Sequence, residues 1–257
     1  MAALVTGAGH RLGQAIAVAL AKAGLDIAVH YANSAKGAEE TVALVEAEGR
    51  RAVALQADLL DLDATEALVP QARDAVGPLR VLINNASIFE YDTLETATRE
   101  SWDRHIGSNL RAPFLLTQAF AAQAPDPVPD AAGEPRAEAM VVNMVDQRVR
   151  KLTPEFMTYT IAKMGLWAFT RTAAQALAPR VRVNGIGPGP TLRGGRQSEE
   201  HFAKQRSATI MGRGSNPEDI TGALLYLWSA PALTGQLLCI DGGQHLAWKT
   251  PDVIGVE

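Results

Sequence analysis

Ala3-Leu4-Val5-Thr6-Gly7-Ala8-Gly9-His10-Arg11-Leu12-Gly13 reads as a short apolar strand, a glycine-rich turn and the first residues of a helix. The alanine-rich run from Gln14 to Ala23 carries the helix on, and Gly24 closes it. At such a junction free backbone N–H groups and the helix dipole converge on one spot, which makes it an anion site. Glycines let the backbone come close to a phosphate. Gly7 and Gly13 alone would serve equally well as a tight strand-to-helix turn. The pattern downstream favours the nucleotide site.

Short Val/Ile/Leu-rich runs alternate with helical ones along the whole chain. Strands are expected near 2–6, 25–31, 52–56, 80–84, 139–145, 181–186 and 236–240. Helices are expected near 11–24, 34–49, 62–77, 99–123, 157–178 and 217–229. Near-continuous apolar strands separated by helices indicate a parallel sheet covered on both faces. The expected fold class is α/β, a single doubly wound (Rossmann) domain over residues 1–257 with a mostly or wholly parallel seven-stranded sheet. Two segments break the rhythm. Ala124 to Glu138 carries four prolines and reads as a surface loop. Residues 188–216 are rich in Gly, Arg and polar side chains and read as a substrate lid.

Composition narrows the function classes. A chain of 257 residues fits one large domain. A net charge of -4 offers no broad basic surface for nucleic acid. No stretch approaches the ~20 apolar residues that a membrane span needs. The single cysteine, Cys239, lies in an apolar strand, excludes an intramolecular disulfide and reads as inert packing in a reducing compartment. With a strand beginning two residues in, no signal peptide is expected, and the localisation read from these features is cytoplasmic. No metal site is expected.

The chemistry is carried by Tyr159-Thr-Ile-Ala-Lys163, with Asp146 thirteen residues upstream in Val-Val-Asn-Met-Val-Asp. Tyrosine and lysine four apart on a helix share one face. A free phenol titrates near pH ~10, and an ammonium one turn away is expected to lower that value. The pair reads as a general acid/base.

These residues resemble the short-chain dehydrogenase/reductase family from Ala3 to about Leu246. The ordered matches are the glycine loop, Ala57-Asp58-Leu59, Asn84-Asn85-Ala86, Asn109, Tyr159/Lys163, Pro188-Gly189 and Asp241-Gly242-Gly243. The resemblance implies a nicotinamide dinucleotide held by Gly7, His10, Arg11, Leu12 and Gly13, with Asp58 and Leu59 facing the adenine. Asn84, Ala86, Pro188 and Gly189 would lie along the cofactor. It further implies Tyr159 as the proton donor or acceptor. Lys163 would bind the ribose and lower the tyrosine pKa, and Asn109 would hold a water in the proton relay. A homotetramer pairing the long fourth and fifth helices is also implied, with Leu116, Ile161, Leu166 and Phe169 either on its interface or in the core.

Three departures from the family pattern refine the resemblance. Arg11 replaces a glycine, Asp146 replaces a serine and Ser87 replaces a glycine. Together with Phe89 they resemble pteridine reductase and its bacterial dihydromonapterin and dihydrofolate-reductase relatives. By that resemblance Phe89 would stack on a pterin, Arg11 and Ser87 would reach substrate and cofactor phosphates, and Asp146 would contact the pterin ring beside Tyr159.

Elementary chemistry points the same way. A serine hydroxyl can donate to a carbonyl, whereas an ionised aspartate only accepts. Asp146 therefore suits a substrate with N–H donors, or is itself protonated and acts as an acid; when ionised it should raise the pKa of Tyr159 against the pull of Lys163. Asp146 could instead pair with Arg148, Arg150 or Lys151, and Phe89 could be packing. At the end of the second strand, His30-Tyr31-Ala32-Asn33-Ser34 lacks the acid that accepts from an adenosine 2′-hydroxyl. His30, Tyr31, Asn33 and Ser34 then border the adenosine, and Asn33, Ser34 and Arg11 can donate to a 2′-phosphate, so NADP(H) is the expected cofactor. The sequence thus indicates an NADPH-dependent reductase of a pterin or dihydropteridine C=N bond. The alternatives are a carbonyl or other imine reductase, with Arg193 and Arg196 in the lid meeting an acidic tail, and a non-catalytic NADP-sensing protein.

Overall fold

The structure, a computed structural model, describes residues 1–195 and 197–249. Strands β1 (Ala2–Val5), β2 (Asp26–Tyr31) and β3 (Ala52–Gln56) alternate with helices α1 (Arg11–Lys22), α2 (Ala35–Ala47) and α3 (Leu62–Val76). β4 (Leu79–Asn84) then leads into α4 (Arg99–Ile106) and α5 (Ala112–Gln123). After a ribbon of β5 (Val128–Pro129) and β6 (Pro135–Arg136) come β7 (Ala139–Met144), α6 (Met157–Leu177) and β8 (Val181–Pro188). α7 (Glu199–Ser207), α8 (Pro217–Ser229) and β9 (Leu237–Ile240) complete the order.

The seven-stranded sheet runs β3-β2-β1-β4-β7-β8-β9, and every pairing in it is parallel. Alternation along the strands explains why both faces are apolar. Leu4, Leu82, Val141 and Val183 face one way and pack with Leu68, Leu116 and Phe120. Val5, Ile83 and Val142 face the other way, against Ile16, Leu20, Ile220 and Leu224. Each such side chain contributes about 1.5–3 kcal/mol relative to exposure. Caps set the helix starts. Asp61 accepts from the Ala64 N–H at the head of α3, and Thr98 and Ser101 form a reciprocal box at the head of α4.

Three details differ from the sequence reading. The helix expected over 99–123 is continuous but widens into a π turn at Gly107–Arg111, as inserted residues do near functional sites. The loop at 124–138 folds into the small antiparallel ribbon β5–β6. The segment 188–216 contains α7, whose Ser198 cap accepts from the His201 N–H. Arg196 and residues 250–257 lie outside the described residues. No described helix is long and apolar enough to cross a membrane.

Candidate active site

Strand order reverses between β1 and β4, and there the connections leave in opposite directions and open a crevice at the carboxyl ends. A cleft of about 1320 Å³ occupies it, bordered by the glycine loop, the β2 and β4 ends, residues 188–192 and α7.

The glycine loop is fixed from below. His30 is buried; its Nδ1 accepts the Gly7 N–H at 3.1 Å, and its Nε2 lies 3.1 Å from the Ala57 carbonyl. Burial lowers the imidazole to about 4, so it stays neutral and keeps both bonds at neutral pH. His30 therefore braces the loop from below while still bordering the cleft. Thr6 Oγ1 accepts the Asn85 and Ala86 N–H groups, and Asn85 Nδ2 donates to the Thr6 and Gly7 carbonyls. A Cβ on Gly13 would sit 2.2 Å from the Gly7 carbonyl oxygen, a contact that only a backbone shift relieves. Overpacking of this kind costs about 1–3 kcal/mol. Gly13→Ala is expected to lower Tm by about 2–12 °C in a thermal melt, since a domain of this size loses about 2–4 °C per kcal/mol.

Several expected cofactor residues border the cleft: Gly7, His10, Arg11, Leu12 and Gly13, then Tyr31, Asn33 and Ser34, and Asp58, Leu59, Ala86, Ser87, Pro188 and Gly189. Asn84 does not. Its side chain is buried beneath the site, donating to Asn143 Oδ1 at 2.8 Å, while Asn143 donates to Thr170. The neighbour, Asn85, is the one at the loop, because successive residues at a strand end point to opposite sides.

Arg11 borders the cleft with a second set of contacts. It starts α1 with φ +55, in the left-handed region that disfavours side chains. Its guanidinium donates to the Arg193 carbonyl at 2.8 Å and the Leu192 carbonyl at 3.2 Å. In this arrangement Arg11 ties the glycine loop to the 188–216 segment.

The reactive cluster lies across the cleft. Tyr159 is nearly inaccessible, and its hydroxyl donates to Asp146 Oδ2 at 2.8 Å. Strand β7 ends just before Asp146 and α6 begins just before Tyr159, so the twelve intervening residues form a turn that returns to the same sheet edge. Asp146 Oδ1 accepts the Arg148 N–H at 2.7 Å, an aspartate cap on the short turn Gln147–Arg150. Lys163 is buried; its Nζ donates to the Met144 carbonyl at 2.7 Å and lies 5.6 Å from the Tyr159 ring centre.

Two opposing electrostatic expectations meet at Tyr159, a lowering by Lys163 and a raising by Asp146, and its pKa is raised well above the ordinary value. Burial is the main cause, and the charge and hydrogen bond of Asp146 add to it; Arg148 and Ser87 pull weakly the other way. Lys163 itself is lowered to about 8 by burial, against the pull of Asp146. Burial and a carboxylate in contact both disfavour the charged phenolate, while the ammonium is bonded to the Met144 carbonyl.

Asn109 sits in the π turn and is fully buried. Its Oδ1 accepts the Ile88 N–H at 2.9 Å and its Nδ2 donates to the Ile88 carbonyl at 2.8 Å. Its amide therefore clamps the loop after β4. Phe89 is half-exposed on that loop, edge-on to Tyr159 at 4.7 Å. Its face carries Phe156, stacked at 4.4 Å with the rings 8° apart. Phe156 holds φ +55 at the head of α6, and Tyr91 and the Arg148 guanidinium cover its other sides. Sequence reasoning passed over Phe156, Asn85 and Thr6. The Asn-Asn pair and the threonine before Gly7 carried a signal; a left-handed Phe156 did not.

Residues 7–245 match the family described as Enoyl-(Acyl carrier protein) reductase, which covers most of the chain. The chain belongs to the short-chain dehydrogenase/reductase family. Among family members of known structure, FolM alternative dihydrofolate reductase 1 from Brucella suis, solved with NADP, is 40% identical, covers 98% of each chain and superimposes with a TM-score of 0.91. A short chain dehydrogenase from Burkholderia cenocepacia, also solved with NADP, is 31% identical with a TM-score of 0.85, covering 95% of this chain and 97% of that one. A 3-oxoacyl-[acyl-carrier-protein] reductase from Synechocystis is 32% identical over 246 residues, 94% of this chain and 95% of its own. Carbonyl reductases thus stand among the family members similar to this chain, beside the dihydrofolate reductases.

Proposed function

We propose that this chain is an NADPH-dependent reductase that acts on a C=N bond of a pterin or dihydropteridine, with Tyr159 as the proton donor. The contact between Tyr159 and Asp146 carries the reading. A carboxylate at this position cannot donate to a substrate carbonyl and would repel a developing oxyanion, but it accepts readily from ring N–H groups. Phe89, edge-on to Tyr159, offers a flat wall beside it. The similarity to FolM alternative dihydrofolate reductases supports the same substrate class.

The residues of the cleft fit a dinucleotide. Gly7 holds φ +63, and a Cβ on Gly9 would meet Ser34 Oγ at 2.4 Å, so the loop is shaped for close backbone approach. Gly7, Gly9, Leu12 and Gly13 would hold the diphosphate, Asp58 and Leu59 the adenine, and Asn33 and Ser34 a 2′-phosphate. Similar structures solved with NADP support that choice. When bound, the cofactor supplies the hydride. Tyr159 keeps its proton at neutral pH and delivers it to the substrate nitrogen. Asp146 accepts substrate N–H groups with the lone pairs left over from Tyr159 and Arg148. Lys163 supplies the positive charge that steadies the phenolate.

The closing of residues 188–216 as a lid over one domain, a cytoplasmic location and a homotetramer belong to the same reading. Leu116 and Leu166 are core residues, whereas Ile161 is exposed on α6 and Phe114 on α5, leaving those two to face a neighbour. The 3-oxoacyl relatives favour a second reading, reduction of a carbonyl.

One assay separates them: NADPH oxidation with dihydrobiopterin, dihydromonapterin and dihydrofolate beside simple ketones and imines. Pterin-selective turnover is expected, with NADPH favoured over NADH by about tenfold or more, since each charged hydrogen bond contributes about 1.5–3 kcal/mol. Turnover confined to ketones, or equal use of NADH, would overturn the substrate or cofactor assignment respectively.

A further inference from the structure

Between β4 and α4 the chain follows neither helix nor strand, yet it is held at the cleft by ties to the helices behind it. Ser87, Phe89 and Tyr91 line the cleft. Ile88, Glu90 and Asp92 are tied inward to three different helical positions. The Asn109 amide clamps Ile88, as described above. The Glu90 N–H donates to His105 Nε2 at 3.1 Å. Asp92, buried, accepts the Thr158 N–H at Oδ1 and both the Thr158 and Ser101 hydroxyls at Oδ2.

His105 sits at the centre, on α4, with no exposed surface. The bonding network assigns its hydrogens. Burial pushes Asp92 up, but the bonds from Thr158 and Ser101 outweigh it and hold the carboxyl below its usual range. An ionised Asp92 only accepts, so the single Thr158 hydroxyl proton goes to Asp92. That hydroxyl must then accept from His105 Nδ1, 2.7 Å away. The ring is thus protonated at Nδ1, and Nε2 is free to accept from Glu90. Each polar atom named in this line has one defined role, which makes the line intolerant of half-removal.

We propose that His105 is a positioning residue for the reaction: through Thr158 on one ring nitrogen and Glu90 on the other, it fixes the first turn of α6, which carries Tyr159, against the segment that carries Ser87 and Phe89. His105 touches no reacting atom; its ring meets Tyr159 edge-on at 6.0 Å between centres. The role follows from geometry. Thr158 directly precedes Tyr159, and Glu90 directly follows Phe89, so one imidazole spans the two neighbours of the acid and of the aromatic wall. The assignment rests on the reading of Tyr159 as proton donor.

The test compares wild type with His105→Leu, Thr158→Val, their double variant, and the conservative His105→Gln and Thr158→Ser, each assayed on whichever compound the wild type reduces fastest. A misplacement near 1 Å costs up to about 10²-fold, so His105→Leu and Thr158→Val should each lower kcat about tenfold or more, with KM for NADPH within about twofold. Cutting one line twice should cost no more than cutting it once, and the double variant should match the worse single. Thr158→Ser, which keeps the hydroxyl, should return kcat to within about threefold of wild type, and His105→Gln should recover part of the loss. Should His105→Leu fail to fold, the Thr158→Val and Thr158→Ser pair decides alone. Wild-type kcat in the folded variants, accompanied only by a lower Tm, would overturn the assignment and leave a stability role. Losses that multiply in the double variant would overturn it too. A wild type that reduces none of the compounds sinks the Tyr159 reading and this one with it, whereas an active wild type with indifferent variants sinks only the role of His105.

Discussion

Tyr159→Phe is expected to lower kcat by about 10²–10⁴ while the protein folds normally and binds NADPH with unchanged affinity. The phenol is poised as an acid, and the cost of its loss follows from that. Burial and the facing Asp146 carboxylate raise its pKa well above the ordinary tyrosine value, so it remains protonated across the neutral range. Reduction of a C=N bond consumes a proton at nitrogen, and the neutral phenol is the form that supplies it. Phenylalanine keeps the ring against Phe89 and His105 but has no proton to give. The pH profile sharpens the test. Since the Tyr159 pKa moves upward, deprotonation of the phenol cannot set an alkaline limb near neutrality. Lys163 can, because burial lowers it to about 8. Below that value the ammonium is present to stabilise the phenolate left after proton transfer; as pH rises through it, that charge disappears and kcat should fall. The expected profile is a plateau on the acid side of about 8 and a decline beyond it. In Lys163→Met the rate should be low throughout and the limb absent. A Tyr159→Phe protein with near wild-type kcat would remove the tyrosine from the chemistry. A limb that survives in Lys163→Met would take the lysine out of the pH dependence.

The parts of this arrangement that were legible in the sequence share a local or periodic signature. Val/Ile/Leu runs alternating with helical stretches give the parallel sheet, because strands buried on both faces have no polar side to break the run. Tyr159 and Lys163 share a helix face by spacing alone. Asp146 could be brought to the same place because a strand end and the next helix start must meet at the carboxyl edge. Residues whose partners lie far away in sequence left no such trace. Arg11 has no local reason to adopt φ +55; its partners are the Leu192 and Arg193 carbonyls. Asn84 and Asn85 are equivalent as text, and only the strand's pleat decides which one enters the core. Phe156 could not be distinguished from a loop residue, since its left-handed backbone and its stack on Phe89 depend on a contact 67 positions away. The sign of the Tyr159 shift was undecided for a related reason. Spacing placed both an ammonium and a carboxylate nearby, but burial of the phenol and its contact with Asp146 determined the outcome, while Lys163 turned toward the Met144 carbonyl.

Asp146→Ser is expected to reduce kcat/KM for a dihydropterin by about 10²–10⁴, because a short hydroxyl cannot replace two charge-assisted acceptor sites worth about 1.5–3 kcal/mol each. The carboxylate already accepts from Tyr159 and from the Arg148 N–H, and an ionised carboxyl has about four acceptor positions, so two remain for substrate N–H groups. Serine would take over at most one of these and would also present a proton where the substrate presents its own. Its second effect acts through the tyrosine. Losing the facing charge removes one of the causes that raise Tyr159, so the phenol becomes a better acid in the variant. A loss of pterin turnover therefore cannot be attributed to a weaker proton donor. For a ketone the two effects reinforce each other: serine can donate to the carbonyl oxygen, nothing repels the developing oxyanion, and Tyr159 gives its proton more readily. Asp146→Ser should accordingly hold or improve ketone reduction while pterin reduction collapses, and this crossing of the two activities is the measurement that matters. If pterin turnover in the variant stays within about threefold of wild type, Asp146 is only the cap of its own turn and the pterin assignment is lost. If ketone turnover falls together with pterin turnover, the aspartate serves the geometry of Tyr159 rather than the choice of substrate.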